Sequence, residues 1–139
     1  MSSETFWHLQ TALHARLCAH SPLCALLAAG AQGIYDHVPR DAAFPYIVIG
    51  AMASRPEAVA DAAAQDIGLS LHVYSRGEGQ REVKRIMAAL SDAMQQGAMN
   101  VAGHVLVLCR EVSASCGLSP DGETRHGVLQ YRLIVDRAV

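Results

Sequence analysis

Val105-Leu-Val-Leu-Cys-Arg-Glu-Val-Ser-Ala-Ser115 and His126-Gly-Val-Leu-Gln-Tyr-Arg-Leu-Ile-Val-Asp136 decide the fold of this chain. They face each other across a polar turn at Pro120-Asp-Gly122. In the second run Leu129, Tyr131, Leu133 and Val135 share one side, and Gln130, Arg132 and Asp136 take the other. Period-two alternation of this kind marks a half-buried strand. In the first run Leu106, Leu108 and Val112 alternate with Val105, Val107 and Cys109, so its start is apolar on both sides. That pattern suits a central strand or one at an interface. The chain is thus expected to finish as paired sheet, with no catalytic domain after it.

Moving toward the N-terminus, the helix expected over Gln80 to Gln96 carries Val83, Ile86, Met87, Leu90 and Met94 on one stripe, and Gly97 is placed to end it. Before it, Ile67, Leu69, Leu71 and Val73 alternate with Gly68, Ser70, His72 and Tyr74, a strand. Ala53 to Gln65 lacks large apolar residues and reads as a mobile connection. Ile47-Val-Ile49 is a further strand, opened by Phe44-Pro45-Tyr46. Gly33 to Val38 is a brief extended piece. Ser21-Pro22 opens a short helix ending near Gly30, and Ser3 to Ala19 forms a longer one through Phe6, Leu9, Leu13 and Leu17. The order is α-α-β-β-β-α-β-β. It argues an α+β class, a mainly antiparallel sheet with helices packed on one face.

Composition bounds the function. The 139 residues make one domain, 1–139, large enough to fold without staples. Residues are 51% hydrophobic with only 5% aromatic, so a core of Ala, Leu, Val and Ile is expected. The formal charge of −2 gives no global basic field to draw nucleic acid. Four cysteines form no C-x-x-C pair, and Met1-Ser-Ser-Glu-Thr lacks the basic start and apolar run of a secretory signal. Free thiols in a reducing cytosol are expected. The longest apolar run, Leu23 to Ala29, is far below the ~20 residues of a membrane span.

Residue chemistry points to no catalytic, cofactor or metal site. His8, His14 and His20 are six apart, so each turns about 240° around a helix from the last and they share no face. His37, His72, His104 and His126 lie scattered in extended segments. Cys109 and Cys116 sit away from any strand-to-helix elbow and read as strand filler. Ser75-Arg-Gly-Glu-Gly-Gln precedes a helix but lacks the glycine spacing of a phosphate loop, and Glu78 would repel phosphate. Asp36 and Asp41 flank Arg40, which suits a loop ion pair or an Asx-turn. Trp7 adjoins Phe6, so one of the two leaves the apolar stripe; an exposed aromatic there would anchor a partner.

The order of features resembles a family of small tail-completion proteins of long-tailed bacteriophages. The resemblance rests on Ile34-Tyr-Asp-His-Val-Pro39, Phe44-Pro-Tyr-Ile-Val-Ile-Gly50, Leu71-His-Val-Tyr-Ser75, the Gly79 to Met94 helix and Gly127-Val-Leu-Gln-Tyr-Arg-Leu133. It spans about residues 5 to 137, and Tyr74 stands where Trp is usual. Pro120 to Arg132 is most similar to versions in gene transfer agents and α-proteobacterial prophages. The resemblance implies a structural virion protein: a tail terminator that forms a hexameric ring on the head-proximal end of the tail. Such a ring stops tail-tube polymerisation and joins the tail to the head connector. Implied partners are other copies of the chain, the major tail tube protein, a head-side connector or stopper protein, and DNA passing through the lumen without sequence being read. No membrane is involved, and assembly would take place in the bacterial cytoplasm. A head-side adaptor of the same particle is one alternative. A small hydrolase or metal-binding enzyme built on His and Cys is another, of a different class.

A closed ring needs two different surfaces on each protomer. The segment from Ala53 to Gln65, with Arg55, Glu57 and Asp61, is one candidate. The Gly117 to Arg125 loop, with Asp121, Glu123 and Arg125, is another. Gln130 and Arg132 on the polar face of the last strand, and Trp7, complete the expected interface, and Arg132 is expected to matter more for assembly than for folding.

Overall fold

The computed structural model describes residues 3–55 and 64–137. A 17-residue helix, α1, covers Ser3–Ala19, and a single turn, α2, covers Ser21–Cys24. Strands β1 (Ile34–Tyr35), β2 (Tyr46–Arg55) and β3 (Gln65–Ser75) follow, then helix α3 (Arg81–Met94), and then β4 (His104–Leu118) and β5 (Arg125–Arg137). The expected order of elements and the α+β class are those observed. The five strands form one sheet in the order β1-β2-β3-β5-β4. Only β1 and β2 pair in parallel; the other neighbours are antiparallel.

Alternation decides which face is buried. Ile67, Leu69 and Leu71 of β3 lie opposite Leu133, Tyr131 and Leu129 of β5, and all six are buried. Ile47 and Ile49 of β2 extend this floor. Leu9, Leu13 and Leu17 of α1 and Val83, Ile86 and Leu90 of α3 close over it as the helical stripes the spacing anticipates. A Cβ on Gly127 would meet Met87 Sδ at 2.6 Å and Val83 Cγ2 at 3.2 Å, so the bare backbone there lets α3 settle on β5. Arg16 ties the helices together by donating from Nη2 to the carbonyls of Gly97 (3.1 Å) and Ala98 (2.7 Å), just past the end of α3.

Several boundaries differ from the sequence expectation. The second helix stops at Cys24, before a 3₁₀ turn at Gly30–Gln32, and its N-cap is His20. Strand β2 continues to Arg55 because β3 supplies partners along it, with Ala53 opposite Gly68 and Arg55 opposite Asp66. The expected connection therefore loses residues 53–55 and Gln65 to strands, and residues 56–63 lie outside the described ones. Strand β4 is not central but an edge, paired with β5 alone among the described residues. Irregularities between Leu106 and Leu108 and between Glu111 and Ser113 shift its alternation, and Val105, Val107 and Val112 are exposed.

Candidate functional site

The sheet face away from the helices is built from the polar half of each alternation. Gly68, Ser70, His72 and Tyr74 of β3 stand opposite Arg132, Gln130, Val128 and His126 of β5. Three arrangements lie on or beside this face.

The first is a buried ion pair. Asp66 has no exposed surface. Arg132 Nε donates to both of its carboxylate oxygens at 3.0 Å, and Nη2 donates to Oδ2 at 2.8 Å. These bonds hold the Asp66 carboxyl below its ordinary pKa despite burial, with help from the charges of Arg132 and Arg55. The same pairing raises Arg132. The expectation that Arg132 is free to meet a neighbour is therefore corrected: its guanidinium is committed inside its own chain. Around the pair runs a shallow groove of about 420 Å³ lined by Arg55, Ser70, Arg110, Val112, Gln130 and Arg132, among others. Arg55 and Arg110 form no ion pair within 4 Å among the described residues, so the groove is cationic.

The second is a ladder of rings. His72 Nδ1 and His126 Nε2 are 2.8 Å apart and share one hydrogen, while Ser70 Oγ lies 3.0 Å from His72 Nε2. His126 stacks on Tyr74 with centroids 4.5 Å apart, and Tyr74 lies beside Tyr46 at 5.4 Å. Burial lowers the pKa of both imidazoles, and the charge of His126 adds to the effect on His72. Sequence reading scattered these two histidines; the β3–β5 register unites them.

The third is the β4–β5 turn. Asp121 Oδ1 accepts from the N–H groups of Glu123 and Thr124 at 2.8 Å, and Oδ2 accepts from Thr124 Oγ1 at 2.7 Å. These bonds, the Thr124 hydroxyl first, lower the Asp121 carboxyl to about 2. Arg76 donates to Thr124 Oγ1 at 3.1 Å and lies over the Phe44 ring at 4.2 Å. Gly122, at φ +74°, takes the left-handed position of the turn. The tip is a pre-organised shape rather than a loose loop.

The expected interface residues thus fall into separate places. Arg55, Gln130 and Arg132 gather in the groove. Asp121, Glu123 and Arg125 lie at the turn and the start of β5. Trp7 is 61% exposed at the far side of the sheet, beside β1. Glu57 and Asp61 lie outside the described residues. Asp36 binds the Gln10 amide (3.0 Å) and the His37 N–H (2.7 Å) and forms no ion pair with Arg40 among the described residues. Glu82 Oε1 accepts from Ser75 Oγ at 2.6 Å, so the Ser75 to Gly79 segment is a turn braced against its helix. Among the described residues no three His, Cys, Asp or Glu side chains are grouped to hold a metal ion. What these surfaces offer is shape, charge and, among the described residues, an unpaired strand edge along β4.

Comparison with known proteins accords with that chemistry. The family model for "Tail completion protein gp17" matches residues 11–136. The tail completion protein gp17 of Bacillus phage SPP1 is 24% identical over 128 residues, covering 92% of each chain. Among solved structures, a chain from the virion of a native gene transfer agent particle superposes with a TM-score of 0.85 at 23% identity, covering 97% of this chain and 99% of that one. The structure of bacteriophage SPP1 gp17 superposes with a TM-score of 0.63 at 25% identity, covering 90% and 86%.

Proposed function

The chain belongs to the tail completion protein gp17 family, and from that premise we propose that it is a tail terminator: a homo-hexameric ring on the head-proximal end of a virion tail. The ring stops addition of further tube subunits and presents its other side to the head connector. The observation that carries this reading is the family match over residues 11–136. The chain acts by binding and not by catalysis, without cofactor or metal.

The surfaces support a division of labour. The turn at Asp121 to Thr124, clamped by its own hydrogen bonds, and the cationic groove beside Arg55 and Gln130 are both open to solvent. They suit contact with the tail tube protein and the head-side connector. A net charge of −2 suits a channel wall past which DNA slides, since a strongly basic wall would hold it through phosphate contacts.

The test is electron microscopy of particles made by cells lacking this gene. Unattached tails with overlong tubes are the expected result. Tubes of normal length that fail to join heads would move the role to a head-side adaptor, and normal infectious particles would refute the proposal.

A further inference from the structure

Among the described residues, the exposed large apolar side chains lie at two opposite edges of the sheet. Trp7 stands beside β1, and Val105, Val107, Val112 and Leu118 belong to β4. Trp7 walls a depression of about 400 Å³ together with Thr11, Ile34, Tyr35 and Ile49. At the other edge β4 runs for 15 residues. Between Val112 and Leu118 it reads Val-Ser-Ala-Ser-Cys-Gly-Leu, with neither charge nor proline. Edge strands are normally blunted by lysine, proline or shortness, because their outward N–H and C=O groups invite another strand. Here small side chains leave that backbone row accessible.

The two edges are separated by four strand spacings, about 19 Å, so neither covers the other within one chain. Charge can pair across them: Arg110 is exposed on β4, where the neighbouring Glu111 carboxylate is turned to Ser91 and Tyr131, and Asp36 is exposed in the Trp7 depression. Two unlike patches on opposite sides of a protomer fit head-to-tail association, which closes into a ring when the rotation allows. We infer that the ring closes edge to edge, the β4 edge of one copy packing along the Trp7 depression of a second copy and bringing Arg110 toward Asp36. This rests on the ring reading above and adds which surfaces form the joint.

Cysteine cross-linking on isolated tails tests it. Cys116 is already exposed on β4, and Thr11 is exposed one helical turn from Trp7. In a background with Cys18, Cys24 and Cys109 changed to alanine, Thr11→Cys is treated with a short bismaleimide. With both cysteines present, a ladder of linked multimers up to the full ring is expected. Thr11→Cys with Cys116→Ser, and Cys116 alone, should each stay monomeric on a denaturing gel. Dimers from either single-cysteine chain would show a self-complementary joint and overturn the inference, as would rings seen at tail ends with no cross-linking. Tail ends carrying no ring would overturn the ring reading and this inference with it. Trp7→Ala provides a second measurement. The side chain is exposed, so the monomer should fold, while the fraction of capped tails at limiting protein should fall about tenfold; an unchanged fraction contradicts the joint.

Discussion

Arg132→Met removes a guanidinium and keeps an unbranched apolar stem. Asp66 then loses all three of its bonds to Arg132 while remaining buried. Removing one partner of a buried pair costs about 3–5 kcal/mol, mostly from the stranded charge. The lower end, about 3 kcal/mol, applies to the stranded Asp66 carboxylate, because the Arg132 side chain was 28% exposed and the Arg55 charge remains near. For a chain of this size that lowers the melting temperature by about 10 °C. Asp66→Asn should cost less, since Arg132 lies at the groove rim and can reach water. The double variant Asp66→Asn with Arg132→Met should recover much of the loss, because no unpaired charge is left.

The pH dependence separates this mechanism from simple loss of packing. In the native chain the Asp66 carboxyl is held below its unfolded value, so the pair's stabilisation is full above about pH 4. It fades as pH falls through the depressed folded value. In Arg132→Met burial acts on Asp66 without its main partner and raises it, so the penalty is greatest at neutral pH and is relieved on acidification. Thermal melts followed by circular dichroism should therefore show a gap between the two proteins that narrows from pH 7 to pH 4. A gap that stays constant across that range, or no gap at pH 7, would refute the claim that Arg132 sustains a buried Asp66 charge.

Three further outcomes are expected. The lowered His72 and His126 values mean that the unfolded chain binds protons more readily than the folded one, so stability is full above about pH 6.5 and falls on acidification through the folded values; denaturant melts from pH 7.5 to 5 should show this, and His126→Gln should flatten the profile. Gly50→Ala places a Cβ 2.6 Å from Ser70 Oγ and 2.7 Å from two atoms of the His72 ring; that ring is held on both sides, so overpacking should cost about 1–3 kcal/mol in a urea melt, and an unchanged midpoint would show that the ring gives way freely. Asp121→Ala removes the three acceptor contacts that shape the turn; amide exchange at Glu123 and Thr124 should accelerate while the melting temperature of the core barely moves, and unchanged exchange would mean that Arg76 and the strand pairing suffice to hold the tip.

The fold was legible wherever one period dominates. Strands β3 and β5 and helix α3 each bury an unbroken stripe, so spacing alone gave their faces and nearly their ends. Strand β2 was undercut because Gly50-Ala-Met-Ala-Ser54 carries no strand propensity; pairing with β3 extends it, and that is a tertiary effect. The edge position of β4 was hidden for a related reason. Two irregularities rotate its side chains, and apolar residues on both faces look the same in a central strand and in a strand awaiting a partner. The site was less legible than the fold. Asp66 with Arg132 and His72 with His126 meet only because of one strand register across 66 and 54 residues. The polar halves of the two alternations held the right residues, but nothing in the spacing says which one meets which.

The central claim is that this chain caps a tail as a closed ring. Cryo-electron microscopy of the head-proximal ends of isolated tails, with the chain identified in the density, addresses it most directly. The account predicts six copies in one ring on the last tube layer, sheet edges meeting between neighbours. Density for this chain on the head side of the joint, or tail ends that carry it as isolated copies, would contradict it.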